Sequence, residues 1–121
     1  MKELSLQDFH CNPFDLFGRD WMALTAGAAP EHFNSMTIAW GHLGSHSGKD
    51  GRKMEAAGLT PVFSDGTAYF AEADLVFICR KLYCGALNEG GFADMALVDF
   101  NYPEKDFHTM YVGEIIKVLG A

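Results

Sequence analysis

Apolar side chains come in short runs, each stopped by glycine or a turn signal, a rhythm that suits strands better than long helices. Trp21-Met22-Ala23-Leu24-Thr25-Ala26 is mostly apolar, halts at Gly27 and reads as a strand. Residues 28–33 hold Pro30 and Glu31 and read as a loop. Ser35-Met36-Thr37-Ile38-Ala39-Trp40 alternates polar and apolar groups up to Gly41, which predicts a half-buried strand. Pro61-Val62-Phe63 and Thr67-Ala68-Tyr69-Phe70 flank Ser64-Asp65-Gly66, a hairpin signal because Asp-Gly accepts positive φ at little cost. Leu75-Val76-Phe77-Ile78-Cys79 predicts a buried strand, and residues 111–119, rich in β-branched side chains, a final one.

The remaining punctuation is sparser. Asn12-Pro13 predicts a turn before Phe14, Leu16 and Phe17. Ser47-Gly48-Lys49-Asp50 suits a helix start, and a short helix through Met54, Glu55, Ala56 and Ala57 would end on Gly58. The strands at 21–26, 36–40, 75–79 and 111–119 are expected to share one mostly antiparallel sheet system. With one or two short helices, that predicts a mainly β barrel or sandwich.

Composition narrows the class. A chain of 121 residues has room for one domain, and its 49% hydrophobic and 21% charged residues belong to an ordinary globular protein. Ten Phe, four Tyr and two Trp supply bulk for a core. A net charge of −7 argues against general nucleic-acid binding, which needs clustered cations, and against adsorption to an anionic membrane. No run approaches the ~18 apolar residues of a membrane span, and the first eight residues lack the apolar core of a signal peptide. Cys11, Cys79 and Cys84 are odd in number and lack zinc-type spacing, so the expectation is a cytoplasmic protein with reduced thiols.

Several short blocks carry a more specific signal. Trp21-x-x-Leu24-Thr25-Ala26-Gly27 is followed by Asn34-Ser35-Met36-Thr37-Ile38-Ala39-Trp40-Gly41. Next come Ser47-Gly48-Lys49-Asp50, Ala57-Gly58-Leu59-Thr60-Pro61-Val62 and Glu72-Ala73-Asp74-Leu75. Cys79-Arg80-Lys81-Leu82-Tyr83 and His108-x-x-Tyr111-Val112-Gly113-Glu114-Ile115 complete the set. In this order, over nearly the whole chain, the blocks resemble the flavin reductase-like family of FMN-binding split β-barrels. The chain departs from that pattern where Trp40-Gly41 passes straight into His42-Leu43-Gly44-Ser45. The family's central segment, with two strands, a helix and an Arg-Tyr-Thr-like flavin contact, is missing at about residues 41–45. The split barrel is therefore expected to be incomplete.

The resemblance implies FMN as cofactor, NAD(P)H as co-substrate, a flavin reductase or electron-carrier activity, and a homodimer. It also implies that Asn34, Ser35, Met36 and Thr37 line the flavin, where small polar groups and backbone N–H suit the ring edge and ribityl chain. On the residues alone, Asn34 reads rather as a turn residue at a loop-to-strand transition. Ser47, Lys49 and Lys53, joined by Arg52, gather cations at an expected helix N-terminus and are the phosphate candidates. They also read as a solvated helix start. His108 sits in a matching block and is a weak catalytic candidate beside a structural role. Flavin reductases pass hydride directly from nicotinamide to flavin, so no acid–base pair is required. His42 and His46 stand four apart, but Gly41 and Gly44 disfavour a helix there and no third ligand is near, so no metal is expected. Cys79 and Cys84 do not read as a redox pair, and Arg80-Lys81 reads as a strand end reaching solvent. The competing class is a non-enzymatic split-barrel module, without flavin, that persists as a dimerising or ligand-binding scaffold.

Overall fold

The computed structural model describes residues 1–20, 22–37 and 56–121. In chain order these form β1 (Lys2–Leu4), α1 (Pro13–Gly18), β2 (Ala23–Gly27), β3 (Phe33–Thr37), β4 (Pro61–Ser64) and β5 (Thr67–Phe70). They continue with β6 (Leu75–Ala86), a 3-10 turn (Glu89–Gly91), α2 (Met95–Asn101) and β7 (Thr109–Gly120). The protein is mainly β, as its alternation predicts. Among the described residues the strands form three sheets, β1-β7-β6, β2-β3 and β4-β5, and no closed barrel. Where they are described, the four strands expected in one sheet system are strands, but β2-β3 and β6-β7 lie in different sheets. Residues 38–40, the expected continuation of β3, lie outside the described residues, and Thr37 is the last position paired with β2.

Turn chemistry explains both small sheets. Asp65 (φ 54) and Gly66 (φ 72) both take the left-handed conformation, which a two-residue hairpin loop needs to match the strand twist. That turn sets Ser64 opposite Thr67 and Pro61 opposite Phe70, as the Asp-Gly signal predicts. Gly27 (φ 118) closes β2, and a Cβ there would run into the His32 carbonyl and the Phe33 backbone. Only glycine fits, and it sets Gly27 opposite Phe33 and Thr25 opposite Ser35.

The chain forms two compact units, Met1–Ile78 with Lys117–Ala121, and Cys79–Ile116. In the first, Ala68, Phe70, Ile78 and Val118 are buried. Phe33 meets Phe63 edge-on at 5.2 Å and Phe9 meets Phe77 at 5.6 Å, both favourable quadrupole geometries. Lys117 ties β7 to the hairpin turn through Asp65 (3.1 Å) and to β1 through Glu3 (3.6 Å). In the second unit, Val98 is buried, and Phe92, Tyr102 and Phe107 pack their rings together.

Four expectations need correction. Asn12-Pro13 starts a helix, not a plain turn: Asn12 Oδ1 accepts from Phe14 N–H at 3.1 Å and Pro13 takes the first helical position. Helix α2 was not expected, although Asp94 caps it by accepting from Ala96 N–H at 2.9 Å. The strand at 75–79 runs on to Ala86, so Arg80-Lys81 lies mid-strand. The short β1 was not expected either; it adds Leu4 opposite Val118 at the edge of β7. Gly58 (φ 70) has the left-handed geometry that a helix C-terminal cap uses. The helix start at Ser47 lies outside the described residues.

Candidate functional site

β3 positions Asn34, Ser35, Met36 and Thr37, and its alternation divides the first three between two faces. Ser35 lies on the half-buried face with Phe33, and Asn34 and Met36 lie on the exposed one. Ser35 Oγ and Thr25 Oγ1 are 3.0 Å apart across the strand pair, and Ser35 Oγ also donates to the Leu24 carbonyl at 3.3 Å. The register fixed at Gly27 creates this hydroxyl pair. The sequence shows both hydroxyls but not that they face each other.

Asn34 Oδ1 accepts from the Ser35 N–H at 2.8 Å. That N–H is therefore occupied by the side chain of its neighbour. The amide of Asn34 on one face, and on the other the hydroxyl pair that spans β2 and β3, are polar groups of the types that a ribityl chain and a heteroaromatic ring edge use. In type these residues suit FMN, but they are divided between two faces. The partners expected for its phosphate, Ser47, Lys49 and Lys53, lie outside the described residues, as do His42 and His46.

His108 belongs to the second unit. Its Nδ1 lies 2.7 Å from Tyr102 Oη, the two rings meet edge-on at 5.4 Å, and its carbonyl accepts from Leu87 N–H at 3.0 Å. His108 thus fastens the start of β7 to the C-terminal cap of α2 and to the end of β6. Tyr102 was not singled out from the sequence. The signal that could have found it is Tyr102-Pro103, a residue pair that ends helices, within an aromatic-rich stretch.

Several other charged groups have structural partners. Arg80 pairs with Glu114, Lys105 with Glu89 and Arg19 with Asp15. The Lys117 ammonium, by donating to Asp65, holds that carboxyl below its usual range, and Asp65 raises Lys117 in return. Hydrogen bonds from Thr60 lower Glu72, whose two oxygens accept from Thr60 N–H at 3.1 and 2.9 Å. Desolvation raises the Cys79 thiol, which lies against Gly113. Among the described residues no three His, Cys, Asp or Glu side chains gather as a metal site, and no helix is long and apolar enough to cross a membrane. No family model matches the chain, and no curated protein or solved structure matches it significantly.

Proposed function

We propose that the chain is an FMN-binding protein acting in the cytoplasm as an NAD(P)H-dependent flavin reductase or flavin electron carrier, and that it works as a homodimer. The observation that carries this reading is the β3 run, with exposed Asn34 and Met36 on one face and the Ser35–Thr25 hydroxyl pair on the other. Its support from sequence is the ordered set of blocks that resemble the flavin reductase-like family. When bound, FMN supplies the redox chemistry. The chain's share is to hold and orient it: Asn34, Ser35, Met36 and Thr37 at the ring edge and ribityl chain, Ser47, Lys49 and Lys53 at the phosphate. Ser35 N–H, which donates to Asn34 Oδ1 at 2.8 Å, would have to exchange that partner to reach a ligand. Loss of the central segment removes an Arg-type contact, which weakens binding by roughly ten- to a hundredfold relative to longer proteins of that kind.

A second reading, a flavin-free split-barrel scaffold, is favoured by the absence of a closed barrel among the described residues. An absorbance spectrum separates the two. A yellow purified protein, or one that turns yellow with added FMN, supports the flavin reading. A colourless protein that ignores FMN supports the scaffold.

A further inference from the structure

Asp65-Gly66 carries a chemistry of its own besides its turn geometry. The carboxyl carbon of an aspartate lies within reach of the next residue's backbone nitrogen, and closure between them gives a succinimide ring. Glycine in the second place makes closure easiest, because no Cβ screens its nitrogen. Gly66 has open space where a Cβ would stand, and Ser64, Asp65 and Gly66 are all exposed. The β4–β5 ladder ends at the Ser64–Thr67 pair, so the Gly66 nitrogen lies outside it.

What distinguishes this turn is the grip on its carboxylate. Lys117 Nζ donates to Asp65 Oδ2 at 3.1 Å, and Ser64 Oγ donates to the same oxygen at 3.3 Å. The ammonium also stands 3.6 Å from Glu3, so Asp65 is the nearer of its two carboxylates. All four residues belong to the same compact unit. A carboxylate is a poor electrophile: its charge repels a nucleophile, and neither oxygen leaves readily. The reactive form is the neutral acid, which loses its hydroxyl as water. A cation hydrogen-bonded to the group favours the charged, unreactive form, and the Asp65 carboxyl is held below its usual range by this contact.

We propose that Asp65-Gly66 is a site of spontaneous aspartate isomerisation, and that Lys117 is the residue that holds the reaction back in the folded chain. In the first step the Gly66 nitrogen forms a bond to Asp65 Cγ and gives up its proton, the Cγ–OH bond breaks, and water leaves. Water then adds back to the ring. Opening at Cγ restores aspartate. Opening at the former main-chain carbonyl leaves the chain running through Cβ and Cγ, with a free α-carboxylate as the side group. Water is the only co-reactant. The main chain of the product is longer by a methylene, and a tight turn built on Asp65 (φ 54) and Gly66 (φ 72) has no place for it. The Ser64–Thr67 pairing and the Lys117 contact are therefore lost together. None of these residues belongs to the β3 run, so the inference is independent of the flavin reading.

The test incubates folded wild type, Lys117→Met and Lys117→Arg near neutral pH for weeks, with circular dichroism as a check on folding. Peptide separation with electron-transfer fragmentation reads isoaspartate at each position. The wild type should accumulate isoaspartate at residue 65 slowly. Lys117→Met should do so about two- to fivefold faster, the worth of one exposed charged pair. Lys117→Arg, which keeps the charge and a donor, should stay near the wild-type rate. Asp50-Gly51, the chain's other Asp-Gly bond, lies outside the described residues and serves as the reference, with one rate in all three chains. In urea, where the lysine no longer stands beside the turn, residue 65 should isomerise alike in all three. The proposal is overturned by a Lys117→Met rate equal to that of the wild type, or by a rise that Asp50-Gly51 shares in proportion. A Lys117→Arg rate as fast as that of Lys117→Met, or no isoaspartate at residue 65 in any folded chain, would overturn it too.

Discussion

At Gly27 the backbone takes φ 118 and leaves no room for a side chain. Gly27→Ala should therefore cost roughly 1–3 kcal/mol in urea unfolding and shift the register that pairs Thr25 with Ser35. Lys117 gives the molecule its most explicit pH dependence. Asp65 and Glu72 have folded values below their ordinary 3.8 and 4.5, so their stabilisation is complete above those values and is lost as pH falls through the lowered ones. Lys117 has a folded value above its ordinary 10.5, so its contribution is complete below that and is lost as pH rises through the raised one. Thermal midpoints should stay level across the neutral range and fall at both extremes. Asp65→Asn should lower the plateau slightly, since these groups are exposed, and soften the decline at both ends, because it removes one of the two acid-side carboxylates and Lys117's main partner. A variant whose midpoint follows the wild-type curve at every pH would show that the Lys117–Asp65 bond contributes nothing.

Among the elements, the two helices depend on their caps more than on length. Asn12→Ala and Asp94→Ala should each cost about 1 kcal/mol, and hydrogen exchange should localise the loss to α1 and α2 respectively. Uniform loss of protection across β2 and β3 in either variant would contradict that assignment. The caps also show what the sequence made legible. The hairpin at Asp65-Gly66, β2 ending at Gly27 and the cores of β6 and β7 were readable because glycine and β-branched residues act locally. Helix α1 was missed because Asn-Pro begins helices as readily as turns, and the choice depends on whether the Asn12 side chain reaches Phe14 N–H. The extension of β6 to Ala86 was missed because Arg80 and Lys81 look like a solvent-reaching end, whereas pairing with β7 holds them in strand. At the site, the polar run on β3 was legible as residue types. Its partners were not: the Ser35–Thr25 contact depends on register, and the Tyr102–His108 contact on how α2 is placed.

For the molecule as a whole, the proposed function makes the polar run on β3 the place for a ligand. The ligand is the central claim. FMN titration followed by flavin fluorescence tests it most directly, on the wild type, Thr37→Ala and Lys49→Ala. The wild type should saturate, and each substitution should weaken binding by about tenfold or more, the worth of one lost hydrogen bond to a charged or closely held group. A wild type that never saturates, or one that saturates with an affinity neither substitution alters, would contradict the account.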